Sequence, residues 1–366
     1  MAAAVLAATL AACSSSGEKP KPAELGPNAA LIGVRQAWTS RVGGVDFPLD
    51  VNVNGSTVTI ASGDGSIAAI DARTGRDLWR ATAGGPIAAG VGSDGKVSAV
   101  VTRTNEVVAF EGGKELWRRK LPAQANTAPL VAGARVFVLS ADRSITAFDG
   151  QSGRKLWAQT RPGEPLVLRQ SGVLMAVGDT LLAGLSGRLV GLNPSNGSVR
   201  WEAPIASPRG TNDVERLVDL VGRTSRVGDI VCARAFQASV GCVNTARGTV
   251  GWTRPASGNE GVHGDDRFLF GTESDGRVVA WRRADGERAW SSDRLQYRVL
   301  TAPLSLGRSV VVGDSTGNVH LLSREDGSPL TRFATDGSAV AASPVVAGDT
   351  LVVVTRAGGV YGYQPE

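Results

Sequence analysis

Few side chains in this 366-residue chain are of the kinds that carry out chemistry, and their spacing points away from catalysis. The two histidines, His263 and His320, have no Cys or His neighbour at metal-ligand spacing, so a zinc site is not expected. His263 reads as part of a Gly-rich loop and His320 as part of a strand, where a packed or surface histidine is the simpler role. Neither a G-x-S-x-G nucleophile elbow nor a phosphate-binding glycine pattern followed by Lys-Ser/Thr occurs. Acidic residues such as Asp71, Asp149 and Asp326 fall in turns, where capping of the turn backbone accounts for them. No enzymatic activity, cofactor or metal is expected.

Cysteine usage says more. Cys232 and Cys242 lie in IVCARAFQASVGCVN (230–244), each five residues from Gln237, where the pattern places a hairpin turn. Residues symmetric about such a turn face each other across two strands, within reach of a disulfide. A bond between them is favoured if the chain is exported to an oxidising compartment; two small buried thiols are the alternative.

The elements that carry these residues are repeats. The stretch DGSIAAIDARTGRDLW (64–79) reads as turn, strand, turn and a second strand ending on tryptophan, and it returns at 141–157, 185–201, 274–290 and, more loosely, 103–117. The tryptophans that end it are Trp79, Trp117, Trp157, Trp201, Trp252 and Trp290, at intervals of 38, 40, 44, 51 and 38 residues. That period is the length of a four-stranded propeller blade. The first strand of the unit recurs near Gly65, Asn105, Arg143, Gly187, Ser239, Gly276, Gly317 and Gly358. The last copy lacks a tryptophan strand, whereas Trp38 supplies one with no repeat before it. The expected fold is therefore all-β: an eight-bladed β-propeller of four-stranded antiparallel blades, closed by the Trp38 strand pairing into the last blade, with no open sheet edge between first and last blades. Period-two alternation, as at Val136 and Val138 or Ile145 and Ala147, argues against a helical solenoid.

Composition agrees. Forty-seven glycines against three tyrosines and two methionines suit short strands and tight turns. The net charge of +5 is spread out, without a run of five basic residues, so nucleic acid is not an expected partner.

At the N-terminus, residues 2–12 are apolar and too short to span a bilayer, as in the core of a signal peptide, although no Lys or Arg precedes them. They end in Leu10-Ala11-Ala12-Cys13, which resembles a bacterial lipobox; an ordinary secretory signal with a chance cysteine is the alternative. The resemblance implies lipid attachment at Cys13, and Ser14 rather than Asp after it implies the outer membrane. The expected organisation is a lipoprotein signal peptide at 1–12, a lipidated flexible tether at 13–34 and the propeller at 35–366.

Departures from the repeat mark where function is expected. From each tryptophan position to the next blade's inner turn, the gaps are 17, 16, 16, 21, 27, 13, 17 and 17 residues. The two long ones are consecutive, at 158–177 and 202–227, and enter the fourth and fifth blades on one face. Arg169 is nine residues before Gly178 and Asp219 nine before Gly228, so the two are expected side by side. Leu166 and Leu168 offer apolar contact area and Arg169 a forked donor. The alternative has the leucines packing the inter-blade groove and Arg169 paired with Asp219.

Two family resemblances bear on function. The repeat resembles the tryptophan-docking unit of the quinoprotein dehydrogenases, propellers that bind pyrroloquinoline quinone and calcium; this chain is shorter and lacks their vicinal cysteines. Over essentially its whole length it more closely resembles the BamB family, lipoprotein propellers of the outer-membrane β-barrel assembly (BAM) machinery. The likeness rests on the lipobox, the repeats, PLVLRQSG (165–172), NDVERLVDL (212–220), LTAPL (300–304) and VVVGDSTGNVHLL (310–322). It implies a non-enzymatic monomer within a hetero-complex, docked on the periplasmic POTRA domains of BamA and aiding unfolded barrel clients at the periplasmic face of the outer membrane. The family's docking residues map onto Leu166, Leu168, Arg169 and Asp219, and its second acidic position onto Val221. A periplasmic propeller holding a ligand in its channel is the competing reading, with a quinone dehydrogenase behind it.

Overall fold

The structure is a computed structural model and describes residues 20–162, 166–208, 211–213 and 216–366. Cys13, the apolar run before it and the first part of the expected tether lie outside the described residues.

Each repeat forms a four-stranded antiparallel sheet whose strands follow chain order from the ring axis outward, and eight such sheets make the ring. The fourth blade, for example, uses Leu174–Val177, Thr180–Leu185, Arg188–Leu192 and Val199–Pro204. The middle strands are apolar on both faces because each sheet is sandwiched between its neighbours; Val136 and Phe137 are both buried. Outer strands alternate instead, as in Asp77–Thr82, whose outward residues meet solvent.

The last blade takes Val345–Ala347, Thr350–Val354 and Gly359–Pro365 from the C-terminus and Val34–Arg41 from the start of the ring. Val34 pairs with Pro365 and Arg41 with Gly359, with a bulge between Gln36 and Trp38. Trp38 then bonds the first blade, its indole Nε1 donating to Ala72 O at 2.7 Å.

The same contact links other blades: Nε1 of Trp117, Trp157, Trp252 and Trp290 donates to Gly150 O, Pro194 O, Arg283 O and Arg324 O of the following blade at 2.8–2.9 Å. The indole lies flat on the turn glycine. At Gly153, with φ +65°, an added Cβ would sit 2.4 Å from Trp117 Cδ2. Glycine is required there twice over, for the left-handed backbone and for the close approach.

Antiparallel alternation fixes what shares a face. The connections from an outer strand to the next inner strand lie on one face together with the turns between second and third strands. The turns between third and fourth strands lie on the other.

The segment read as a tether is bonded to the ring over part of its length. Ala23 N donates to Gln296 O at 2.9 Å, and Arg298 donates to Ala23 O. The Asn28 amide mimics a neighbouring strand, accepting from Arg332 N and donating to Arg332 O, both at 2.9 Å. Leu25 packs on the core between the sixth and seventh blades. Composition alone reads this polar, Pro-containing stretch as free because its anchors are backbone bonds and one apolar side chain.

Cys232 and Cys242 sit directly opposite in the fifth blade and are joined in a disulfide, with Cα atoms 4.0 Å apart. His263 lies in the strand Val262–Gly264, not in a loop. Its Nδ1 accepts from Ser305 N at 3.0 Å, and burial lowers its pKa to about 3, leaving it neutral. His320 is buried against Asp314 at 3.0 Å. Among the described residues no group of His, Cys, Asp or Glu could hold a metal ion.

Candidate docking surface

The two long connections run from Thr160, where the third blade's outer strand ends, to Leu174, and from Pro204 to Leu220. They are stitched to one another. Gly172 forms an antiparallel bridge with Val221, Gly222 N donates to Ser171 O at 2.9 Å, and Gly172 N donates to Thr127 Oγ1 at 2.9 Å. These bonds satisfy loop backbone that would otherwise lose water without replacement.

Asp219 is the centre of the arrangement. One carboxylate oxygen accepts from Leu168 N at 3.1 Å, and the other accepts from Arg143 Nη1 at 3.2 Å. Arg143 Nη2 donates in turn to Leu166 O at 3.1 Å. Both side chains are largely buried, with 7% and 18% exposure for Arg143 and Asp219. A charge pair at such depth is held by the geometry of its extra hydrogen bonds more than by net attraction. Its effect here is to fix the backbone at Leu166 and Leu168.

Arg143 is the residue that sequence reasoning missed. It occupies the second-to-third-strand turn of the third blade with φ +62°, where other blades carry Gly65, Gly187, Gly276, Gly317 and Gly358, also at positive φ. A long side chain in a turn position that favours glycine costs on the order of 1 kcal/mol. That local departure is the signal available in the sequence.

The expected residues separate into two kinds. Leu166 is 42% exposed and Arg169 is exposed, whereas Leu168 is half-buried. Asp219 does not lie against Arg169 as a partner; its ion pair is with Arg143. Val221, where the family's second acidic residue maps, is buried in the bridge to Gly172 and offers nothing to a partner.

Arg169 is exposed at the rim of the ring's interior. With Gln170 and Ser171 it borders a cavity of about 450 Å³, walled also by segments entering the first, fifth, sixth and eighth blades. At its floor Asp50 accepts from Ser171 Oγ at 2.7 Å, and burial raises the Asp50 carboxyl above its usual range. Arg223 reaches across the axis to donate to Pro344 O at 2.8 Å. Burial lowers its guanidinium to about 10, opposed by Asp50. Glu260 on the wall is pushed up to about 7 by burial, with Arg234 and Arg356 opposing the shift.

A family model described as outer membrane protein assembly factor BamB matches residues 63–292. BamB of Burkholderia pseudomallei is 40% identical over 100% of this chain and 96% of its own length. The chain belongs to the BamB family. BamB of Bordetella pertussis is 37% identical, with 94% of this chain and 90% of that protein covered. The crystal structure of BamB from Moraxella catarrhalis superposes with a TM-score of 0.82 over 90% of this chain and 99% of that one; at 24% identity, this likeness speaks to the fold alone. These BamB relatives bear the name of an assembly factor, not of an enzyme.

Proposed function

We propose that the chain is a non-enzymatic docking scaffold of the outer-membrane β-barrel assembly machinery. It is held at the periplasmic face of the outer membrane by lipid on Cys13 and binds the POTRA domains of BamA. The observation that carries this reading is the Asp219 network, which spends a nearly buried ion pair on fixing a loop that presents Leu166 and Arg169 outward. An apolar side chain beside an unpaired guanidinium on a rigid support is a common form of interface hot spot.

Within this reading Leu166 and Arg169 touch the partner, and Asp219 positions them. Arg169 has no hydrogen-bond or ion-pair partner among the described residues, so charge reversal there breaks no hydrogen bond or ion pair among them. Arg169→Glu is expected to abolish co-purification with BamA from membranes while leaving the melting temperature nearly unchanged. Undiminished recovery of BamA would remove this surface from the function.

A further inference from the structure

The axial cavity beside Arg169 is walled by charged groups from several blades, and most of them are already answered. Asp46 is paired with Arg103 at 2.6 Å, Asp50 accepts from Ser171, and Arg223 donates to Pro344 O. Two guanidinium groups remain. Arg169 on one wall and Arg356 on another are exposed, and among the described residues neither has a hydrogen-bond or ion-pair partner. Glu260 lies within electrostatic range of Arg356 and receives a long bond from Gln170 Nε2 at 3.5 Å. Its burial keeps it partly protonated near neutral pH, so it does not fully neutralise the arginine.

The backbone around Arg356 is ordered. Its N donates to Ala339 O at 2.8 Å and its O accepts from Val45 N at 2.9 Å, which ties the seventh-to-eighth connection to the segment entering the first blade. The second-to-third-strand turn that carries Arg356 lies on the same face as the long connections. A partner seated on Leu166 and Arg169 therefore covers a cavity whose far wall carries a second unanswered cation.

We infer that the docking surface extends across the axial opening, and that the partner places an acidic side chain in the cavity between Arg169 and Arg356. The inference rests on the docking reading and names a second contact for it. Guanidinium pairs recognise carboxylates bidentately, and a walled cavity strengthens the bond relative to open surface.

The test titrates the full chain with the purified POTRA region of BamA. Arg356→Glu should weaken binding at least about ten-fold and Arg356→Ala about three- to ten-fold, whereas Arg356→Lys, which keeps the charge, should stay within about three-fold. Arg73→Glu, an equal charge change at an exposed turn on the opposite face, should stay within about two-fold. The Arg356→Ala deficit should shrink as ionic strength rises. If Arg356→Glu behaves like Arg73→Glu while Arg169→Glu abolishes binding, the extension falls and the docking surface stands. If Arg169→Glu is also silent, the docking reading itself falls. A deficit that salt does not change rules out an acidic contact. Should Arg356→Glu lower the melting temperature, the Ala and Lys variants decide the question alone.

Discussion

The family resemblance implies a docking role for Asp219, yet its carboxylate faces inward to Leu168 N and Arg143, and the two roles predict different results from one experiment. The perturbation is a double-mutant cycle of Asp219→Ala and Arg143→Ala, measured for stability and for binding to the POTRA region. Removing Asp219 takes away the bonds to Leu168 N and Arg143 and withdraws the carboxylate from beside the guanidinium. Breaking a fully buried ion pair from one side costs about 3–5 kcal/mol, and the partial exposure of the Asp219 side chain and the surviving bond to Leu166 O bring this to about 2–3 kcal/mol. Removing Arg143 leaves an aspartate that still accepts from Leu168 N and reaches water, at about 1–2 kcal/mol. In the double variant both members of the pair are gone. Its loss should fall short of the sum by at least about 1 kcal/mol, the coupling expected of contacting groups.

Binding should follow the same pattern if Asp219 acts through the loop. Both single variants free the backbone at Leu166 and Leu168, lower the population of the competent loop and weaken affinity about ten-fold, and the double variant is little worse than either. Hydrogen exchange at the Leu168 amide, which donates to Asp219, should quicken in the Asp219→Ala variant before global unfolding. If Asp219 touches the partner directly, Asp219→Ala will cost far more affinity than Arg143→Ala and their effects will add. That outcome would refute the positioning role.

Two further perturbations test the site and the ring. Glu260 has its carboxyl raised from about 4.5 to about 7, so between those values the folded state holds a proton that the unfolded chain releases. Stability should fall as pH rises through that window, by up to about 3 kcal/mol. Glu260→Gln should therefore exceed the parent at pH 8 and lose the advantage at pH 4 in urea titrations; a difference independent of pH would contradict the assignment. Gly153→Ala places a Cβ 2.4 Å from Trp117 Cδ2 at φ +65°, and should destabilise by about 2–4 kcal/mol, whereas the same change at Gly85, with open space around it, should cost under about 1 kcal/mol. Equal melting temperatures for the two would show that the indole contact does not hold the blades.

The ring was legible because each blade repeats one local solution. A turn, a buried strand, a glycine at positive φ and a tryptophan recur at a fixed spacing, so alignment within one chain reveals the architecture and even which half-blade closes it. The facing of Cys232 and Cys242 followed from their equal distance from Gln237. The candidate surface was legible only in part. Loop length located Leu166 and Arg169, but the partner of Asp219 is Arg143, 76 residues earlier in another blade, and periodicity carries no information about such a pairing. The loop reading of His263 fails for a related reason: Gly261 and Gly264 read as loop, although the short inner strand Val262–Gly264 starts directly after the first and includes the second, where no bulky side chain fits. At Gly261 an added Cβ would meet Arg223 backbone at 2.0 Å.

The repeat and its departures are not independent. The Asp219 network draws Arg143 from the third blade, Leu168 from the connection into the fourth and the carboxylate from the connection into the fifth. Its geometry therefore depends on how these blades are set against one another. That setting is made on the opposite face, where Trp157 bonds Pro194 O across the third and fourth blades and Trp201 lies on Gly248 across the fourth and fifth. A loop held only at its two ends would lose its conformational freedom at each encounter with a partner, at about 1–2 kcal/mol per residue fixed. Tied at Asp219 to a ring whose blades are locked beneath it, the segment from Leu166 to Arg169 meets a partner already ordered. If the loops dock as proposed, the tryptophan repeat contributes to docking without touching what docks, and a substitution such as Trp201→Ala should act on the surface through the angle between two sheets.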